Sequence, residues 1–199
     1  MMNFEKYIST RRSIYRLGRK TQLSLEEIEN FVRIATKYVP SPFNNQSQRV
    51  VLLLNDQHEK FWNLVYQELK KVAPPANLAK TEEKLKNFAA GIGTILFFDD
   101  KAVTDDYRQK YPLYEENFRV WSEHANAMLQ YILWLELSDN HLGASLQHYN
   151  PIIDDVTQEE FNIPKSWKLI AQMPFGEIIE EANPDKSFIN IEDKFMIIK

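Results

Sequence analysis

Apolar residues recur at helical spacing in six parts of the chain. Phe4, Tyr7 and Ile8 share one face of a short amphipathic helix near the start. A longer helix is predicted from the capping box that opens at Ser24 to Pro40, which cannot continue a helix. Further helices are predicted over residues 57–72, 81–90, 101–114 and 115–140.

Three short, continuous apolar runs have the character of buried strands. They lie at Arg49–Leu54, Thr94–Phe98 and Trp167–Met173, and Pro174 is expected to end the third. Because helices separate these strands, we expect an α/β or α+β sandwich with a mixed sheet. The helix over residues 115–140 is apolar on more than one face, which is typical of a helix at the centre of a domain or at a subunit interface.

The composition is that of a folded globular protein. The chain has 199 residues, of which 44% are hydrophobic and 26% charged, so we expect one domain over residues 1–199 with a sizeable core. The sequence contains no cysteine, which excludes disulfides, thiolate metal sites and cysteine nucleophiles.

The net charge and the length of the apolar stretches bear on whether the protein binds nucleic acid, spans a membrane or is secreted. A net charge of −4 gives no basic footprint for nucleic acid. The first residues carry no apolar leader, and no apolar stretch approaches the ~20 residues of a membrane span. We therefore expect a cytoplasmic protein without nucleic-acid or membrane partners.

Common catalytic and nucleotide-binding motifs are missing from the sequence. Gly91-Ile92-Gly93 precedes a predicted strand, whereas the dinucleotide fingerprint follows one, so we interpret it as a turn. Neither a Walker motif nor a Gly-x-Ser-x-Gly elbow occurs. The histidines have no metal-ligand spacing, so we expect no metal site; we interpret three of them as structural, namely His58, His124 and His141.

Three polar segments are candidates for binding. Arg11 and Arg12 offer paired guanidinium donors beside Ser13, which suits a phosphate, although such clusters are also common on solvated surfaces. Residues 41–48 are rich in Asn and Gln, whose donors and acceptors suit either the edge of a heterocycle or a plain surface loop. A polar and aromatic stretch, Gln147–Pro151, follows the longest predicted helix.

In combination, these segments resemble the nitroreductase family of FMN-dependent oxidoreductases, in particular its short branch with fungal and bacterial members. The matching blocks occur in family order over nearly the whole chain. They are residues 11–15, 40–47, 84–94, 112–114, 121–123, 142–151 and 166–176. Each block is short, and the resemblance rests on their order and spacing.

The resemblance implies a fold, an assembly and a cofactor. The fold is a nitroreductase-like α+β sandwich in which helices wrap a central mixed β-sheet, and two chains form an intertwined homodimer. Two FMN molecules would lie at the subunit interface. The broadly apolar helix over residues 115–140 agrees with such an interface.

The same resemblance implies which residues bind FMN. Arg11, Arg12 and Ser13 match the segment at the phosphate and ribityl chain, and Lys186 resembles a C-terminal basic phosphate ligand. A lysine near the pyrimidine edge matches Lys84 or Lys86, of which Lys84 is preferred. Two further segments match the loop that the partner subunit lays over the flavin (Ser41, Pro42, Asn44 and Gln46) and the stretch beside flavin N5 (Gln147, His148 and Tyr149).

The implied activity is NAD(P)H oxidation coupled to reduction of nitroaromatic or quinone-like acceptors. Hydride would pass alternately through flavin N5, with no catalytic side chain. Basic residues common in the family are replaced by Tyr15 and Phe188, and an acidic–glycine pair is replaced within residues 147–149. One alternative is a regulatory or sequestering flavoprotein of the same fold with little turnover, and another is a helical interaction module without a cofactor. The preferred nicotinamide and the physiological acceptor stay open.

Overall fold

The computed structural model describes residues 4–199; residues 1–3, on which the expectation of no secretory leader partly rests, lie outside the described residues. Within this range the helices are α1 (Phe4–Thr10), α2 (Leu25–Tyr38), α3 (Asn55–Val72), α4 (Pro75–Ala89), α5 (Lys101–Lys110), α6 (Glu115–Asp139) and α7 (Asp154–Glu160). The strands are β1 (Leu17–Gly18), β2 (Gln48–Leu54), β3 (Gly93–Asp100), β4 (Gly143–Ala144) and β5 (Trp167–Ile178).

One five-stranded sheet lies at the centre of this α+β fold, in the order β1–β5–β3–β2, with β4 also paired to β5. Its strand pairs are all antiparallel, which corrects the prediction of a mixed sheet. In residues 4–199, parallel pairing is limited to one bridge between Ser13 and Ala144. The connection explains the antiparallel pairing of β2 with β3, because α3 and α4 pack together between these two strands. Two successive helices return the chain to the end of the sheet that it left, so Leu54 pairs with Gly93.

Alternate residues of the sheet face two separate cores. On β3, Ile95 and Phe97 belong to the core with α2 and α6, whereas Leu96 and Phe98 belong to the core with α3 and α4. The whole of β3 is buried, as predicted. In contrast, β2 is only half buried along most of its length, because it lies at an edge of the sheet.

Strand β5 continues through Pro174, where the sequence predicted its end. The Pro174 carbonyl accepts a hydrogen bond from the Ser145 N–H, on the side of the short strand β4. In an antiparallel strand the nitrogen and the carbonyl of one residue point to the same side. The missing N–H of Pro174 therefore leaves the ladder between β5 and β3 intact.

The start of α2 confirms its predicted cap. Ser24 Oγ accepts from the Glu27 N–H at 3.2 Å, and the Glu27 carboxylate accepts from the Ser24 N–H at 2.8 Å.

The sequence analysis did not predict three short elements. They are α7 and the strands β1 and β4, which have two residues each and are too short for a periodic pattern. No helix in residues 4–199 combines the length and the apolar character needed to cross a bilayer.

Candidate functional site

The segment after α1 is held against β4. The Ile14 N–H donates to the Ala144 carbonyl at 2.9 Å, and Ser13 forms the parallel bridge to Ala144. Gly143 permits this approach, because a Cβ at that position would lie 2.7 Å from Ile14 Cγ2. Arg11 and Arg12, which directly precede Ser13, are therefore held close to the segment that leads from β4 to Gln147.

The guanidinium of Arg11 has no anionic partner among the described residues. It lies 4.2 Å from the centre of the Trp134 ring, and its Nε and Nη1 are buried without a hydrogen-bond partner. The Nε1–H of Trp134 is also buried and unpaired. By contrast, Arg49 and Arg108, which are also shielded, pair with carboxylates. Because buried unpaired donors are costly, the donors of Arg11 and Trp134 suit a bound anion.

Arg12 and the chain that follows β5 line a neighbouring pocket. An Nη2–H of Arg12 donates to the Asn183 carbonyl at 2.5 Å, and the pocket, of about 450 Å³, also includes Ser13. Lys186 lies a little further along, is exposed, and has its Nζ 5.0 Å from the centre of the Phe188 ring. The structure thus brings Asn183, three residues before Lys186, into contact with Arg12.

Residues 147–149 run along β5 on the same side as β4. Gln147 exchanges two backbone hydrogen bonds with Gln172 of β5, at 2.7 and 2.9 Å. Its side-chain amide donates to Ser145 Oγ at 3.0 Å. The side chain of His148 is exposed, whereas burial raises the pKa of Tyr149 to about 12. This segment therefore lies next to the strand that contacts Ser13.

The two candidate lysines on α4 lie in different surroundings. Lys84 Nζ lies 5.7 Å from the centre of the Tyr149 ring, and partial burial lowers the pKa of Lys84. Lys86 instead forms an ion pair with Glu82 at 2.6 Å, and the hydrogen bond and charge of Glu82 raise the pKa of Lys86. Lys84 is thus the lysine that the structure places beside Tyr149.

The amide-rich loop before β2 has a strained backbone. Phe43, Asn44 and Gln46 have φ angles of 52°, 53° and 50°, in the left-handed region that residues other than glycine seldom adopt. Ser41 Oγ accepts from the Gln46 N–H at 3.0 Å. The Arg49 Nη1–H donates to the Gln46 carbonyl at 2.6 Å. These bonds hold the loop closed.

Aromatic rings support the first half of the same loop, which begins as a 3₁₀ turn at Pro42. The centre of the Phe43 ring lies 4.8 Å from that of Tyr111 and 5.5 Å from that of Phe118. Half of the Phe43 side chain is still exposed. The turn therefore presents an aromatic surface beside its amide groups.

The predicted site residues form two groups within the chain. The anion group consists of Arg11, Arg12, Ser13, Lys84, Gln147, His148 and Tyr149, whereas the contact of Lys186 is with Phe188. The loop group consists of Ser41, Pro42, Asn44 and Gln46. Across residues 4–199, no hydrogen bond, ion pair or ring contact joins the two groups directly. Their role in cofactor binding stays a prediction.

Sequence reasoning missed three residues around these groups. Trp134 stacks on Arg11, Arg49 fixes the carbonyl of Gln46, and Gln172 pairs with Gln147. The role of Arg49 could have been predicted, because it directly follows the amide-rich loop in the sequence and a guanidinium can donate to nearby loop carbonyls. The roles of Trp134 and Gln172 depend on neighbours that are distant in sequence.

Comparison with known proteins gives a consistent set of relatives. The model of the nitroreductase family matches residues 8–177. Nitroreductase FRM2 of Saccharomyces cerevisiae is 29% identical over 191 residues, which are 94% of this chain and 94% of FRM2. Proteins of this family are FMN-dependent.

Solved structures give the same result. Nitroreductase CinD from Lactococcus lactis in complex with chloramphenicol is 39% identical, with a TM-score of 0.90 over 99% of this chain and 100% of that chain. CinD in complex with nicotinic acid and with 4-nitrophenol gives TM-scores of 0.91 and 0.89 at the same identity and coverage. A Desulfovibrio desulfuricans structure of nitroreductase type, in complex with FMN, is 17% identical with a TM-score of 0.70 over 100% of this chain and 98% of that chain, a likeness of fold.

Proposed function

Because this chain belongs to the nitroreductase family, we propose that it binds FMN and transfers electrons from NAD(P)H to nitroaromatic or quinone-like acceptors. The observation that carries this proposal is the Arg11 guanidinium, whose buried Nε and Nη1 have no partner. A phosphomonoester offers about −1.5 to −2 charges and three acceptor oxygens. Arg11 would hold it by charge-assisted hydrogen bonds, with Arg12 and Lys186 contributing further positive charge.

The other residues of the anion group fit the flavin ring system. Lys84, partly desolvated beside Tyr149, would stabilise negative charge at the pyrimidine edge. When bound, FMN would supply the redox chemistry, a two-electron transfer from the nicotinamide to the acceptor. The side chains of this protein would bind FMN, orient the substrates and exclude water from the site. None of them is required as a nucleophile.

We also propose that each site is completed by a second copy of the chain, in a homodimer. Among the described residues no hydrogen bond, ion pair or ring contact joins the loop group to the anion group directly, so a partner's loop would cover the ring. On α6, four apolar side chains are about half exposed, namely Val120, Met128, Tyr131 and Ile132. The C-terminal residues 188–198 expose further apolar side chains, and β2 has an unpaired edge. Such apolar exposure is more typical of an interface than of a monomer surface.

The choice of acceptors is supported by the ligands of the Lactococcus lactis relative. Chloramphenicol and 4-nitrophenol both carry a nitro group on an aromatic ring, and nicotinic acid contains the pyridine ring of nicotinamide. A planar slot that alternates between a nicotinamide and a nitroaromatic ring would accept all three.

Titration with FMN, followed by steady-state oxidation of NADH and NADPH with and without a nitroaromatic acceptor, tests the proposal. We expect FMN binding and acceptor-stimulated turnover. Binding without turnover would favour the alternative, a sequestering or regulatory flavoprotein. Failure of FMN to bind would contradict both.

A further inference from the structure

Gln172 lies fully buried in β5 and pairs with the segment beside it through its backbone. Its N–H donates to the Gln147 carbonyl at 2.9 Å, and its carbonyl accepts from the Gln147 N–H at 2.7 Å. These two bonds fix residue 147 but leave the following residues without a regular ladder to β5.

The side chain of Gln172 continues this pairing where the ladder ends. Its Oε1 accepts from the Tyr149 N–H at 2.9 Å, and its Nε2 donates to Asn150 Oδ1 at 3.0 Å. Asn150 is anchored in turn, because its Nδ2 donates to the Leu169 carbonyl at 2.9 Å and to Asp154 Oδ1 at 2.8 Å. Both ends of the Gln172 amide are therefore satisfied by a chain segment that is itself fixed.

One main-chain donor between these anchors is left free. The N–H groups of Gln147 and Tyr149 are both bonded to Gln172, whereas the His148 N–H between them has no partner among the described residues. The side chain of His148 is exposed and supplies no partner either. Gln172 thus holds a short segment rigid on both sides of a single unpaired donor.

We propose that Gln172 is a positioning residue, whose side-chain amide fixes residues 147–149 so that the His148 N–H is presented to the bound flavin. This inference rests on the proposed FMN function. Hydrogen bonds to a redox ring act differently on its oxidised and reduced forms, so the position of a donor affects their relative affinities. The residues on both sides of this donor are already bonded to the buried Gln172, so presenting the donor requires little reorganisation when the flavin binds.

The substitution Gln172→Met tests this role, because it conserves much of the side-chain volume and removes both hydrogen bonds. We expect the ratio of affinities for reduced and oxidised FMN to change about tenfold, which is a shift of ~30 mV in the two-electron midpoint potential. We also expect kcat to fall while KM for the nicotinamide changes less. The midpoint potential is measured on the FMN-loaded protein, and the FMN dissociation constant is measured by titration. Neither measurement depends on turnover.

Gln158→Met is a matched control. Gln158 is also a buried glutamine, and its Nε2 donates to the Trp167 carbonyl at 2.6 Å, outside both groups of site residues. We expect this variant to keep the wild-type potential even if its thermal stability falls. Equal potentials in wild type, Gln172→Met and Gln158→Met would overturn the proposal.

Asn150→Ala decides the matter if Gln172→Met does not fold. It removes the acceptor of Gln172 Nε2 and leaves the Tyr149 bond, so we expect a smaller shift of potential in the same direction. An Asn150→Ala protein with wild-type potential would then overturn the inference. If the wild-type protein itself bound no FMN, the proposed function would fail, whereas an unshifted potential in FMN-loaded variants would remove only the role of Gln172.

Discussion

At the scale of single residues, His58 is a buried histidine that its neighbours keep neutral. Its Nε2 lies 3.1 Å from the Phe88 carbonyl, which can only accept, so Nε2 carries the proton. Its Nδ1 then accepts from the Thr94 hydroxyl at 2.8 Å, while the Thr94 oxygen accepts from Trp62 Nε1–H at 2.8 Å. Burial lowers the pKa of His58 to about 4. This network confirms the structural interpretation of His58.

The lowered pKa of His58 predicts a loss of stability in mild acid. Between about pH 6.5 and pH 4 the unfolded chain takes up a proton at His58 that the folded chain does not, so folding weakens as pH falls. Between pH 7 and pH 5 this contributes a loss of about 2 kcal/mol. Urea unfolding of wild type and His58→Gln at both pH values measures it.

The control for this measurement is His124→Gln, at an exposed histidine on α6. We expect His124→Gln to lose as much stability as wild type between pH 7 and pH 5, and His58→Gln to lose about 2 kcal/mol less. An equal pH dependence in all three proteins would contradict the neutral, buried state of His58.

The two α4 lysines make a matched pair for the flavin site. Lys84→Met should remove a cation that favours the reduced, negatively charged flavin, so we expect the midpoint potential to fall by ~30 mV or more, a tenfold change in relative affinity. Lys86→Met should leave the potential unchanged, because Lys86 is already paired with Glu82. Potentiometric titration of both variants measures this, and a larger shift in Lys86→Met would reverse the assignment.

Some of the candidate site residues could be predicted from the sequence, whereas the contacts between them could not. Arg11 is a candidate from its basic cluster and from the family pattern, and Lys84 from the family pattern alone; both signals record residue type and order. That Arg11 stacks on Trp134, and that Gln172 braces residues 147–149, follows from side chains meeting across the fold. Such contacts cannot be predicted from a local sequence pattern, because the two residues of each pair lie far apart in the chain.

At the scale of elements, the loop before β2 depends on one ion pair. Arg49 donates to the carbonyls of Gln46 and Gln48 and to Asp100 Oδ2, at 2.6, 3.0 and 2.9 Å. The Arg49 and Asp100 side chains are 27% and 12% exposed, so their attraction is only partly screened. Arg49 therefore links the strained loop to the end of the central strand β3.

Loss of Arg49 should loosen this loop. We expect Arg49→Met to lower the free energy of unfolding by about 2–3 kcal/mol, because Asp100 and the Gln46 carbonyl both lose a charged donor. Arg33→Met, which breaks an exposed ion pair with Glu29 on α2, should cost less than about 0.5 kcal/mol. Urea unfolding compares the two, and equal losses would mean that the loop does not depend on Arg49.

The sequence predicted most elements but not how the strands pair. Helical periodicity located every helix except α7, and continuous apolar runs located the long strands, because each of these elements buries a face or a run of several residues. The apolar pattern could not predict the antiparallel pairing of β2 with β3, which depends on the packing of α3 against α4. Nor could it predict that β5 continues through Pro174, because the side to which a proline nitrogen points depends on the neighbouring strands.

At the scale of the whole molecule, the proposed homodimer has a direct test. Ile132 lies on α6 with 40% of its surface exposed, and Ile132→Glu would place a charge in the proposed interface. We expect wild type to scatter as two subunits of 23.5 kDa and the variant to scatter as one, with weaker FMN binding. Val72→Glu, at an exposed apolar position on α3, is the control that should stay dimeric.

The central claim, that Arg11 binds the phosphate of FMN, is tested most directly by titrating wild type and Arg11→Met with FMN and with riboflavin, which lacks the phosphate. We expect wild type to bind FMN at least about 100-fold more tightly than riboflavin, and Arg11→Met to lose most of this preference while its affinity for riboflavin changes little. An Arg11→Met protein that keeps the full preference for FMN, or a wild type that binds both ligands equally, would contradict the account.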